Sequence, residues 1–328
     1  MSDFPILPVP KAELHCHLEG AARPELVRSL ARKHGIDLAH VFTPEGDYLK
    51  GDFTTFLSTY DEVVEVFREP EDYEALAQDH FTWLAEQGAI YGEVFLSPSH
   101  GNKLGFGWPV LVEAVALGLE AAREAHGIEG RIVATGVRHY GPLDVMEAAE
   151  TITRHPHPLV TGFGLAGDER QHHTAEFAPA FAMAREAGLG ITCHAGEFMG
   201  PPSVEHALDL GVTRIGHGVR AAEDPSLVDR IVAERIVLEV CPNSNLALGV
   251  YETADDHPLG LLWDAGARIT LNSDDPPFFH TSLADDYAFA RDRAGFSRDD
   301  LIEVTRTALE AAFVDDATRA RLMGRLDA

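Results

Sequence analysis

Short runs of β-branched and aliphatic residues alternate, along most of the chain, with longer Ala-, Leu- and Glu-rich stretches whose apolar positions recur at helical spacing. The short runs predict strands at Ala12–His17, Ile90–Ser97, Arg131–His139, Val160–Ala166, Gly190–His194, Arg214–His217, Ile236–Val240 and Arg268–Asn272. Between them, Pro109–Ala125, Asp144–Thr153, Glu176–Ala187, Ser203–Leu210, Pro225–Glu234 and His257–Ala265 read as crossover helices. Such alternation builds a parallel sheet, and eight strands is the number that closes a (β/α)8 barrel of the TIM type. An open, doubly wound sheet is the competing fold. It is the weaker one, because no Gly-rich phosphate-binding turn joins a strand to a helix.

One stretch breaks the rhythm. From Ala21 to about Ala85 the chain leaves the strand–helix alternation and carries helical patterns of its own at Pro24–Lys33 and Phe53–Phe67. An excursion that long at the end of a strand is expected to serve as a lid or binding element. The tail, Arg298–Leu326, reads as two amphipathic helices. Without a repeat, a low-complexity tract or a Ser/Gly linker, residues 1–328 read as one domain.

Composition narrows the partners. A formal net charge of −27 over 328 residues argues against nucleic acid, which requires a cationic footprint. The three cysteines, Cys16, Cys193 and Cys241, are far apart and lie in apolar runs, so packing is expected of them rather than a disulfide framework or a thiolate zinc site. Acidic Asp3 and several prolines interrupt the first residues, against a signal peptide, and no run approaches a membrane span of ~18 apolar residues. A cytoplasmic location and no membrane partner are the expectation.

In a barrel, the C-terminal ends of all strands face one mouth, and polar groups gather at those ends here. The first strand ends in His15-Cys16-His17, the fourth in Gly167-Asp168-Glu169, the fifth in His194-Ala195-Gly196-Glu197, the sixth in Gly216-His217-Gly218 and the eighth in Asn272-Ser273-Asp274-Asp275-Pro276. A lone His-x-His is weak, since 17 histidines give roughly one such match by chance. A second, His155-Pro156-His157, falls between helix and strand and reads as loop, while His172 and His173 read as a solvated turn. On a strand, His15 and His17 share a face, and the other strand ends supply company. Three His nitrogens and an Asp oxygen would suit zinc or a similar transition metal better than calcium. An open position on such an ion lowers the pKa of bound water to about 7. Glu197 and His217 would then provide an acid and a base for attack on an electrophilic carbon.

These stretches, with Pro10–Gly20 and Leu165–Glu169, occur in the order of the adenosine deaminase family, of the amidohydrolase superfamily, which the chain resembles over nearly its whole length. The resemblance implies one zinc held by His15, His17, His194 and Asp274, and a small purine as substrate. Glu197 would protonate N1 of the purine, and His217 would orient the attacking oxygen and accept or shuttle its proton. Asp275 would meet N7, the Gly167 N–H would meet N3, His17 would also touch the substrate, and Glu19 would meet the ribose. Phe53–Tyr60 looks like the family's lid helix, with Phe56, Leu57 and Tyr60 on one face; ordinary packing on the barrel is the other reading of that face.

Two positions bear on the substrate. Adenosine deaminases of the family generally carry Asp where this chain has Glu19, whereas adenine deaminases generally carry Glu. Leu165–Glu169 and Gly216-His217-Gly218 look like the adenosine versions, although Gly164 stands where the family often has Asp. Weighted towards the two purine-edge motifs, the expectation is hydrolytic deamination of adenosine or deoxyadenosine. Adenine and a modified adenine nucleoside are the alternatives, and a non-catalytic purine-binding protein is a distant one. A deaminase of the cytidine type is excluded, because Cys241-Pro242 is followed by no Pro-Cys-x-x-Cys run.

Overall fold

A computed structural model of the protein describes residues 8–327; the N-terminal reading around Asp3 lies outside them. Among the described residues, β1 (Lys11–Glu13), β2 (Ala89–Leu96), β3 (Glu129–Val137), β4 (Val160–Ala166), β5 (Gly190–Ala195), β6 (Arg214–His217), β7 (Val237–Val240) and β8 (Arg268–Leu271) pair in sequential order. Every pairing is parallel. The ring closes just past the regular strands. Cys16 bridges Asp274, the His17 N–H donates to the Asp274 carbonyl at 3.0 Å, and the Asp274 N–H donates to the His15 carbonyl at 3.1 Å. The fold is a (β/α)8 barrel of the TIM type, as the strand count implies.

The excursion after β1 holds α1 (Pro24–His34), α2 (Phe53–Val64) and α3 (Pro70–Glu86). Two helices, α4 (Pro98–Leu104) and α5 (Gly107–His126), separate β2 from β3. The outer layer continues with α6 (Pro142–Arg154), α7 (Ala178–Glu186), α8 (Pro201–Asp209), α9 (Pro225–Ala233), α10 (Pro242–Ala247) and α11 (Leu259–Asp264). After β8 come α12 (Leu283–Arg293), α13 (Arg298–Ala311) and α14 (Asp316–Leu326). Proline opens many of these helices because its missing N–H falls where the helix has no acceptor to offer. At α2, Asp52 accepts the Thr55 N–H at 2.9 Å instead.

β2 is buried along its whole length, as expected where helices cover the outside and side chains fill the inside. The barrel interior is partly ionic: buried Arg214 pairs with Glu93 and Glu239, each at 2.6 Å, and stacks 3.6 Å from the Phe313 ring. Ala308, Leu309, Leu322 and Leu326 of the tail helices pack on Ala12, Leu14 and Tyr91, covering the strand starts. No helix among the described residues is long and apolar enough to cross a membrane.

Two strand boundaries and three helices depart from expectation. Regular pairing of β1 ends at Glu13, because the Leu14 N–H turns to the Asn272 side chain (2.8 Å), so His15 and His17 stand beyond the ladder. β3 stops at Val137, and Arg138–Tyr140 form a single helical turn instead of strand. Three helices, α4, α10 and α12, arise where no element is expected.

Candidate active site

All five polar strand ends converge on a cleft at the barrel mouth, open to solvent, with ≈ 750 Å³ of empty space. At its floor, one nitrogen each of His15, His17 and His194 and one oxygen of Asp274 lie within 4.8 Å of one another. His15 and His17 each place Nε2 3.4 Å from Asp274 Oδ1, and His17 Nε2 faces His194 Nε2 at 3.2 Å. His15 Nε2 and Asp274 Oδ1 are buried without a hydrogen-bond partner. Buried polar atoms are rarely left so, and these two stand 3.4 Å apart within the same four-atom cluster. Nitrogen and carboxylate donors in this number fit a zinc-type ion.

The surroundings orient these groups. Glu239 Oε2 holds His15 Nδ1 at 2.8 Å, which turns Nε2 to the centre, and Ser244 Oγ donates to Asp274 Oδ2 at 2.6 Å, which leaves Oδ1 free. Burial resists charge on His15, yet Asp274 and Glu239 raise its pKa to about 9, so the spot attracts positive charge. Burial, together with the neighbouring His15, His17 and His217, lowers His194 well below the usual imidazole range, the neutral form a ligand needs. Close approach is permitted by glycine. A Cβ at Gly216 would stand 2.7 Å from the His15 ring, and one at Gly20 would overlap the Asp275 carboxylate. Asp274 and His217 both adopt left-handed backbone, φ 65° and 61°, conformations that L-residues hold only when their surroundings impose them.

Above the floor stand two carboxyl groups of a different kind. Burial pushes Glu197 well above the usual carboxylate range, with like charge from Asp274 and Glu169 adding to it. Asp275 is raised for the same reason, by burial and then by Asp274 and Glu197, and its Oδ1 has no partner. Burial thus favours the protonated form of each, the form that can donate. His217 Nε2 lies 3.7 Å from Glu197 Oε1, and burial lowers His217 to about 3.

Glu19 sits at the side of the cleft, almost wholly buried, with its oxygens taken by His100 Nδ1 (2.8 Å), Tyr73 OH (3.2 Å) and Tyr60 OH (3.3 Å). Burial opposes its charge, but His100 and these donors hold it below the usual carboxylate range. Phe56, Leu57 and Tyr60 of α2 line the cleft, as do His17 and Gly167. His155, His172 and His173 are exposed, and the His157 ring accepts the Leu159 N–H in its own loop, apart from the cleft. The cysteines are buried and free of disulfides.

Several residues beside the site escape a reading of the sequence. Glu239 is one: a single carboxylate inside the apolar run Ile236–Val240, visible only as the one charge that a buried strand should not carry. His100, Tyr73, Ser244, Asn245 and His257 come from helices and loops and carry no strand-end signal.

Residues 10–328 match the adenosine deaminase family. The chain is 54% identical over 317 residues to the adenine deaminase of Sinorhizobium medicae (strain WSM419), covering 96% of this chain and 98% of the relative. It superposes on the adenine deaminase of Arthrobacter aurescens with a TM-score of 0.89 at 29% identity, covering 97% and 98% of the two chains. A zinc-bound amidohydrolase from Burkholderia ambifaria matches with a TM-score of 0.86 at 25% identity, covering 97% and 90%. The chain belongs to the adenosine deaminase family, and is an enzyme of that deaminase class.

Proposed function

We propose that this protein is a zinc-dependent adenine deaminase, converting adenine and water to hypoxanthine and ammonia. The observation that carries the chemistry is the pair of buried carboxyl groups, Glu197 and Asp275, standing above a three-His, one-Asp cradle, with burial favouring their proton-bearing forms. Adenine offers lone pairs at N1 and N7, which call for donors. An ionised carboxylate would repel both.

Of the substrates weighed from the sequence, the alternative, adenine, is supported better than adenosine. Relatives more than half identical over nearly their whole length are named adenine deaminase. Glu19 supports the same choice. Three donors already occupy its carboxylate, and it stands where the family's nucleoside enzymes meet the ribose. The two purine-edge motifs that favoured adenosine concern the base alone, which both substrates share.

His15, His17, His194 and Asp274 would hold the metal, which when bound supplies Lewis acidity and makes water nucleophilic at neutral pH. Glu197 gives its proton to N1 and so draws electron density from C6. Asp275 donates to N7, the Gly167 N–H meets N3, and the apolar faces of Phe56 and Leu57 keep bulk water from the base. The reaction is complete when the amine leaves as ammonia.

A panel of adenine, adenosine and deoxyadenosine, followed by ammonia release, tests the reading. Turnover of adenine well above the nucleosides is expected, and a preference for adenosine would return the substrate to the nucleoside. Glu197→Gln should retain metal while kcat falls about 10²–10⁴-fold. Near-normal turnover in that variant would remove Glu197 as the acid.

A further inference from the structure

His217 stands at the end of a buried hydrogen-bond chain that begins at a backbone amide. The Leu259 N–H lies 3.2 Å from His257 Nδ1. An amide N–H can only donate, so Nδ1 carries the lone pair and the His257 proton sits on Nε2. That Nε2–H reaches Asn245 Oδ1 at 3.2 Å, which settles which end of the Asn245 amide is oxygen. The amide nitrogen, Nδ2, is thereby left facing His217 Nδ1 at 3.3 Å, and donates to it. His217 Nδ1 is an acceptor, so its proton sits on Nε2, the atom turned to Glu197. Asn245 and His217 are essentially inaccessible and His257 is 8% exposed, so solvent does not rearrange the links. Reversing one link would set two donors or two acceptors face to face.

We propose that Asn245 and His257 are positioning residues that hold His217 in its Nε2–H form, so that His217 serves the reaction as a hydrogen-bond donor to the attacking oxygen and not as its base. The sequence expectation that His217 accepts the proton is thereby replaced. Both protons of the water then pass through Glu197. It gives its own proton to N1 and, as a carboxylate, takes the first water proton as the C6–O bond forms. It hands that proton to the amino nitrogen, the C6–N bond breaks with its electron pair leaving on ammonia, and Glu197 takes the second proton as C6 becomes a carbonyl. The acid is restored.

The tautomer rests on the hydrogen-bond geometry alone; its effect on turnover rests on the deaminase reading. Protein labelled with ¹⁵N-histidine, assigned with His217→Gln, reads the tautomer directly in a long-range ¹H–¹⁵N spectrum. A pyridine-type resonance at His217 Nδ1 and a pyrrole-type one at Nε2 are expected; the reverse would overturn the proposal. Asn245→Asp supplies only acceptors, moves the proton to Nδ1, and should lower kcat ~100-fold with KM and metal content little changed. Inverted resonances with undiminished kcat would show His217 to be a base. Should Asn245→Asp fail to fold, His257→Leu frees the Asn245 amide to turn, and a mixed tautomer with a smaller fall in kcat is expected. An unchanged His217 spectrum in that variant would remove His257 from the chain. Wild-type protein inert towards every 6-aminopurine would sink the deaminase reading, while the spectrum would still decide the tautomer.

Discussion

His15 presents Nε2 to the metal cradle because its other nitrogen is spoken for. Glu239 holds Nδ1 at 2.8 Å, Thr192 and Arg214 hold Glu239, and Arg214 is balanced in turn by Glu93. Burial favours the neutral form of Glu239, but Arg214 and His15 overcome it and keep the carboxylate ionised. Glu239→Gln keeps the shape and weakens the acceptor, so metal affinity should fall about 10–100-fold in chelator competition. Glu93→Gln breaks the adjoining Arg214–Glu93 pair, on the far side of Arg214, without touching His15. It should cost stability, on the order of 3 kcal/mol, with metal affinity preserved. Equal loss of metal from both variants would show that the barrel core, and not His15 alone, depends on Glu239. Asp274→Ala, by contrast, should lose the metal outright on elemental analysis.

At the scale of elements, the loop between β5 and α8 depends on one side chain from the loop after β4. Glu169 accepts the N–H groups of Gly196, Glu197, Phe198 and Met199 at 2.6, 3.1, 2.8 and 2.9 Å, and the Ser203 hydroxyl at 2.5 Å. Glutamine in its place would turn an amide donor towards those donors, so Glu169→Gln should lower kcat at least ~10-fold by misplacing Glu197. Added to Glu197→Gln it should cost nothing more, since both act through one group; additive losses would mean that Glu169 serves the fold generally. Glu169 shows what a sequence carries and what it withholds. As a strand-end acid it is conspicuous, but four amides of another loop and a hydroxyl of α8 become its partners only when β4 and β5 lie side by side. His15, His17, His194 and Asp274 are legible because a barrel brings strand ends together by construction. Glu239 is not, because a lone Glu in Ile236–Val240 looks like a solvent-side residue until the sheet closes and turns it inward. The six-residue α10 is too short to show a helical period, and α12 carries Asp285, Asp286, Arg291 and Arg293, which blur its apolar face. The proposed substrate turns on Glu19, whose clamp of His100, Tyr73 and Tyr60 comes from distant helices.

For the whole molecule, the metal cradle and the closure of the barrel are one feature. His15 and His17 follow β1, Asp274 follows β8, and the hydrogen bonds between these same residues seal the ring, while His194 reaches across from β5. A metal that binds only this arrangement stabilises the folded state by mass action, so chelation should lower Tm, and readdition of zinc should restore it. Acid attacks a different point. His257 is buried among the links to Asn245 and Leu259, and burial lowers its pKa from the ordinary 6.5 to about 4. The unfolded chain binds a proton there below about pH 6.5, whereas the folded chain does so only near pH 4, so stability is complete above 6.5 and drains away as pH falls through that window. The shift corresponds to roughly 3 kcal/mol at the acid end. His257→Leu carries no proton to bind. Its stability in urea should start lower at pH 7, for want of the bond to Asn245, and then decline less steeply than wild type between pH 6.5 and 4. Parallel decline of the two proteins would place the acid sensitivity elsewhere, with the carboxylates and the metal ligands themselves.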